Sequence, residues 1–535
     1  MTTPLLPPSF PRARSRALRR ILPALVLVAL MTLVPAVFAI AQAQEGWTQF
    51  QGGPDHSGDA PGGPEPAYRM DWELPIDLGG PDLQFGVSAP VVAGDTIVVV
   101  GPDQIIGVDA ESGSQAWTVD RDLGPPVSAA IASVDGSDAV VYTEGFGDGP
   151  PDPDASPSAS SPSPTAPASA SPSGSAAGED GADGQGTFNS HLAAFDVRTR
   201  KPLFKPVPLD EVSRTGVTVD GTMAFVGANG GRVYAIDLTD GSVVWNVELG
   251  RPLTSPPTVA ADTVLVGVQS TQSSRLPTVV ALDAGDGEEA WRLDDQGAAA
   301  IVSTVAANDT TAYVAFSGSQ EASIDAIDLA TGERTWRSRL PRLLDPSATA
   351  PPVVTDDAVY ATDALGVTYA FDPDTGARIW DFALNQNVFR AAPIAVADHV
   401  VVGTLDGDFV ALDASSGELV WRSEATAAPV RAMAVAGERL VLVRGGADAG
   451  LQAYVHDPDG TLVSEPSPTT PDPGMLALNV GIAGAVVIGL TLLLGRFLAK
   501  RMGPALPDTA DSHEDEDEIS DDIDNHSDED ERDQP

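Results

Sequence analysis

The stretch VYAIDLTDGSVVW, Val233 to Trp245, recurs along the chain. VVALDAGDGEEAW runs from Val279 to Trp291, IDAIDLATGERTW from Ile324 to Trp336, TYAFDPDTGARIW from Thr368 to Trp380 and FVALDASSGELVW from Phe409 to Trp421. An earlier copy, IIGVDAESGSQAW, spans Ile105 to Trp117, and a worn one, HLAAFDVRTRKPLF, spans His191 to Phe204. The aspartates fall at 109, 196, 237, 283, 328, 372 and 413, and after the first gap the spacing is 41 to 46 residues. Self-similarity at such a period marks a repeat architecture and outranks any local reading.

Each copy reads as a β-hairpin. Val-Tyr-Ala-Ile is β-prone and alternating, so it forms a strand. Asp237 opens the turn, where its carboxylate can accept backbone N–H bonds. Gly241 sits where a positive φ is needed, and Val243-Val244-Trp245 resumes a strand. The same roles are expected of Asp109, Gly113 and Trp117, of Asp283, Gly287 and Trp291, and of Asp328, Gly332 and Trp336. They are likewise expected of Asp372, Gly376 and Trp380, and of Asp413, Gly417 and Trp421. Six of the eight tryptophans occupy this slot. An indole buries about 150–250 Å², a gross gain of about 4–6 kcal/mol at ~25 cal/mol/Å², so tryptophan here serves packing.

Two further strands precede each hairpin, as in Ser88 to Val92 and Thr96 to Val100. Four strands per period match a propeller blade. First-strand candidates begin at Val87, Val127, Gly216, Thr254, Ile301, Ala350, Ala391 and Val430. The fold class expected is therefore all-β, an eight-bladed β-propeller of four-stranded blades, with seven blades as the alternative. The eighth unit ends in a degenerate hairpin, Leu451 to Val463, that lacks a terminal tryptophan. The segment from Tyr68 to Pro75 has Trp72 and no repeat in front of it. Trp72 is the expected ring-closure residue, supplying the missing outer strand and removing two exposed edges.

The chain of 535 residues carries a net charge of −46. Fifteen Asp/Glu against one Arg lie in residues 508–535, and most of the remaining excess falls between 44 and 474. Such a surface lacks the basic footprint of nucleic-acid binding. The absence of cysteine excludes disulfides, thiolate metal sites and a lipidated cysteine. The six histidines show no ligand spacing, so no metal site is expected. Residues 144–187 form a Pro/Ser/Ala/Gly insert, too poor in apolar surface to fold.

The ends suggest a membrane protein. Residues 1–43 read as a signal peptide or an N-terminal anchor, and 44–465 as an extracytoplasmic propeller. A Pro-rich linker at 466–474 leads to a transmembrane helix at 475–498. Arg496, Lys500 and Arg501 follow the apolar run, which places the acidic disordered tail, 499–535, in the cytoplasm.

The hairpin resembles the A-x-D-x-x-T-G-x-x-x-W repeat of PQQ-repeat, or quinoprotein alcohol dehydrogenase-like, β-propellers. Ala326, Asp328, Thr331, Gly332 and Trp336 match every fixed position, as do Ala370, Asp372, Thr375, Gly376 and Trp380. Trp47 to Gly58 is similar to a lead-in segment of that family. The resemblance implies three functional classes: dehydrogenases holding PQQ and Ca²⁺ over the central channel, non-catalytic BamB-type assembly factors, and secreted or anchored propellers of other roles. The expected function is a single-pass membrane scaffold that binds an extracytoplasmic protein partner, with no catalytic residues and no cofactor. A PQQ- and Ca²⁺-dependent dehydrogenase is the first alternative, and an envelope sensor or structural stalk is the second.

Overall fold

The structure is a computed structural model that describes residues 46–76, 86–122, 124–148, 188–253, 255–270, 276–296, 301–317, 322–340, 351–388, 391–426, 428–446 and 449–463. The expected leader, linker, membrane span and acidic tail lie outside these residues. So does the body of the insert. Among the described residues no helix is long and apolar enough to cross a membrane.

Eight sheets, each with an antiparallel four-stranded core, make an eight-bladed propeller, and the seven-bladed alternative is excluded. Blade 1 is Val91–Ala93, Thr96–Val100, Gln104–Asp109 and Gln115–Asp120, in sequence order from the axis outward. Blades 3 to 7 repeat this plan; blade 5 splits its first strand into Ile301–Val302 and Ala306–Ala307. Blade 2 differs in its outer edge, the short Val207–Pro208, where the worn hairpin has lost its strand-forming end. The first strands neighbour one another around the axis. Blade 8 takes Val430–Ala436, Arg439–Arg444 and Gly450–His456 from the C-terminal side and Tyr68–Pro75 from the N-terminal side, paired antiparallel as its outer strand.

The core lies between blades, not within one centre. Consecutive strands carry apolar residues on both faces, as in Met223–Gly227 and Arg232–Asp237, because each blade is covered by a neighbour on either side. Val217, Val226 and Ile236 of blade 3 pack with Val141 and Leu192 of blade 2. On its other face, Phe225 and Ala235 pack with Val264 and Val280 of blade 4. The outer strand Gln115–Asp120 alternates instead, with Trp117 and Val119 half-buried and their neighbours exposed.

The paired strands of blade 2 continue further than the sequence suggested. Ser137–Asp148 and Phe188–Asp196 remain paired out to Asp148 opposite Phe188. Residues 144–148, assigned above to the insert, thus belong to a strand, whose β-bulge between Glu144 and Gly147 accommodates the irregular sequence.

Candidate functional site

The hairpin residues come together as joints between blades. In five hairpins of the full repeat the alanine faces the tryptophan across the ladder: Ala235–Trp245, Ala281–Trp291, Ala326–Trp336, Ala370–Trp380 and Ala411–Trp421. In blade 1, Gly107 stands opposite Trp117. A small residue there leaves room for the indole to turn toward the next blade. The indoles of Trp245, Trp291, Trp336 and Trp380 then lie over the hairpin glycine of that blade. A Cβ on Gly332, at φ +72°, would meet Trp291 at 2.6 Å. The glycine is required by backbone conformation and by contact at once.

The indole N–H completes the joint. Trp245 donates to the Ala284 carbonyl at 2.9 Å, Trp291 to Leu329 at 2.8 Å, Trp336 to Pro373 at 2.8 Å and Trp380 to Ala414 at 2.9 Å. Trp72 makes the same joint between blades 8 and 1. It pairs with Ala453, lies over Gly113 and donates to the Ala110 carbonyl at 3.0 Å. Trp421 packs instead against Phe409 and edge-on against Tyr68. Trp117 meets Phe195 of blade 2 edge-on, and Phe204 takes the tryptophan position over Gly241.

The aspartates are turn residues. Asp109, Asp237, Asp283, Asp328, Asp372 and Asp413 each accept a backbone N–H from within their own turn. In Asp109 and Asp372 the bonds from Ser112 and Thr375, side chain first and then backbone, hold the carboxyl below its ordinary value.

The least expected feature is residues 47–60, WTQFQGGPDHSGDA. They form a strap that visits the innermost strands of seven blades in order. The carbonyls of Trp47 and Thr48 accept from Val92 and Ile131 in blades 1 and 2. Gln49 uses its side-chain amide as a strand would, donating to the Val219 carbonyl at 2.6 Å and accepting from its N–H at 2.7 Å. Pro54, Asp55 and Ser57 accept from Val259, Ala307 and Val354 in blades 4, 5 and 6. Asp59–Ala60 pairs parallel to Ile394–Val396 in blade 7. These contacts fall beside the turns between first and second strands, so the strap fills that end of the channel.

His56 is the strap's buried anchor. Its Nδ1 lies 3.1 Å from the Thr258 hydroxyl and its Nε2 3.3 Å from that of Thr218. Burial lowers its pKa to about 3, so the ring is neutral. Asp59 is pushed up to about 6 by burial, then by Asp356 and Asp55. Beyond the strap the innermost strands carry small and β-branched residues, and Arg431 is the one cation on them among the described residues.

The described residues contain one cluster with metal-ligand geometry: Asp122, Glu144 and His191. Sequence spacing missed it, because the insert separates Glu144 from His191 along the chain and no local pattern joins them to Asp122.

Residues 81–149, 189–366 and 364–463 match a family model described as outer membrane protein assembly factor BamB. The chain belongs to this family. BamB of Burkholderia pseudomallei is 25% identical over 318 residues, covering 57% of this chain and 77% of that protein. The quinohemoprotein alcohol dehydrogenase ADH-IIG of Pseudomonas putida is 32% identical over 128 residues, but these are 21% of this chain and 18% of that enzyme. This BamB-family chain therefore spans less than a fifth of that relative. Among solved structures, ADHIIG from P. putida HK5 superposes with a TM-score of 0.52 at 13% identity, covering 80% of this chain and 82% of that one. A europium-containing methanol dehydrogenase gives 0.52 at 11%, covering 77% and 98%. At these identities the superpositions establish the shared propeller fold.

Proposed function

We propose that this BamB-family propeller is a non-catalytic scaffold outside the cytoplasm that binds a protein of the cell envelope and is held to the membrane by one span at 475–498. The observation that carries the reading is the family match across most of the propeller, with the assembly factor of B. pseudomallei aligned over 77% of its length. The dehydrogenase alignment is confined to a fifth of this chain, between two and three repeats.

The chemistry of the channel supports the same reading. PQQ carries three carboxylates and asks for facing cations, whereas the described innermost strands offer Arg431 alone. Those residues do not fit the cofactor. The repeat aspartates hold their own turns and are not free to act as bases. What the fold provides is a rigid disc with one channel end filled by its own strap, leaving loops and rims as the binding surface. The basic flank after 495 and the acidic block at 508–535 support a cytoplasmic C-terminus.

The test is direct. Full-length protein is supplied with PQQ and Ca²⁺ and assayed for dye reduction with simple alcohols and sugars. The scaffold reading expects no turnover above a protein-free control. Sustained turnover that depends on PQQ would overturn it.

A further inference from the structure

We infer that Asp122, Glu144 and His191 form a binding site for a divalent zinc-class cation at the root of the insert in blade 2. Glu144 and His191 are directly opposed on paired strands, so the backbone fixes their approach. Both are buried, at 8% and 7% exposure, while the Asp122 side chain faces solvent. His191 Nε2 lies 2.8 Å from Glu144 Oε1 and 3.8 Å from Asp122 Oδ2, and the three ligand atoms lie within 4.8 Å of one another.

These separations bracket what one ion needs. Ligand bonds of about 2.0–2.2 Å at tetrahedral angles put donor atoms roughly 3.3–3.6 Å apart. The short His–Glu contact opens by about 0.5–0.8 Å to reach that separation, and the exposed Asp122 carboxylate swings in. The backbone N–H of Asp122 donates to Glu144 Oε2 at 2.9 Å, which holds the first loop after blade 1 against blade 2. Arg121 stands beside the carboxylates without occupying them. It donates to the carbonyls of Gly101, Asp122 and Pro125. The guanidinium offsets part of their negative field but leaves the ligand atoms available.

One imidazole nitrogen and two carboxylate oxygens select a borderline ion over a hard one. Ca²⁺ prefers oxygen donors throughout, whereas Zn²⁺ takes this mixed set and keeps its fourth position open. The open position faces solvent on the Asp122 side. The consequence is mechanical. The last ladder pairs, Gly147–Asn189 and Asp148–Phe188, lie just beyond the site. An ion there clamps the two strands from which residues 149–187 emerge and ties them to blade 1.

The experiment uses metal-stripped full-length protein titrated with Zn²⁺ against a chromophoric chelator, with Ca²⁺ in parallel. His191→Ala and Asp122→Asn are the variants. Asp122 is exposed, so its substitution leaves the fold intact if the His191 variant does not. The inference expects one tight Zn²⁺ per chain, affinity weakened at least about tenfold in either variant, and a melting temperature raised by Zn²⁺ in the wild type only. The acidic block at 508–535 binds cations weakly, so the difference between wild type and variants is the quantity that counts. Equal Zn²⁺ binding by wild type and both variants overturns the site. So does a wild type that takes no stoichiometric Zn²⁺, or one that binds Ca²⁺ there as tightly as Zn²⁺.

Discussion

Replacement of Trp72 by Ala removes the joint between the last blade and the first. The indole is partly buried, stacked over Gly113 and bonded to the Ala110 carbonyl at 3.0 Å. With ~150 Å² of apolar surface withdrawn from water, its loss forfeits about 4 kcal/mol at ~25 cal/mol/Å². The carbonyl left without its donor adds about 1 kcal/mol, and partial collapse of the cavity returns some of this. The net expectation is about 3–5 kcal/mol. A cooperative unit of the propeller's size, residues 47–463, unfolds with an entropy of about 0.9 kcal/mol/K, so the melting temperature should fall by about 3–6 °C. Trp245→Ala, an internal joint of the same design, should fall by a similar amount. Differential scanning calorimetry of the full chain compares the two. A Trp72 variant melting within about 1 °C of the wild type, beside a destabilised Trp245 variant, would refute closure through the N-terminal strand.

Gly332→Ala should cost about 2–4 kcal/mol in a denaturant titration, since alanine is strained at φ +72° and its methyl meets Trp291. Asp325→Ala should cost up to about 3 kcal/mol, because Asp325 is fully buried and paired with both Arg337 and Arg334, and its loss leaves the two guanidinium groups with Asp295 still beside them. Asp59→Asn tests the strap by pH. The folded value of Asp59, about 6, lies above its ordinary one, so its contribution is fully present below about pH 4 and is lost as pH rises through 6. Wild-type melting temperature should therefore fall more steeply between pH 4 and 6.5 than that of Asp59→Asn.

The repeat made most of the fold readable. Period, turn aspartate and hairpin glycine are side-chain or φ requirements, and those leave a mark in sequence. Trp72 was readable for a related reason: a tryptophan strand stood without a repeat in front of it, and the eighth hairpin stood without a tryptophan. The strap was not. Most of its bonds come from backbone carbonyls, which any residue supplies, while Gln49, Gln51 and His56 commit side chains to the blades. Nor was the glycine's second duty, as a flat surface for the neighbour's indole, visible in one hairpin alone. The Asp122–Glu144–His191 cluster depends on strand register across an insert, and periodicity has no hold on an insert. The extension of the ladder to Asp148 went unread because Gly145 and Gly147 interrupt the β-prone pattern.

The central claim is that the disc exists to hold a protein. Photocrosslinking residues placed at Met70, Val244 and Ile379, exposed positions on the outer strands of three blades, test it in cells expressing the full-length chain. The scaffold account predicts a discrete adduct from at least one position, of fixed stoichiometry and saturable as expression rises. Adducts from every position that merely follow the abundance of envelope proteins would contradict it.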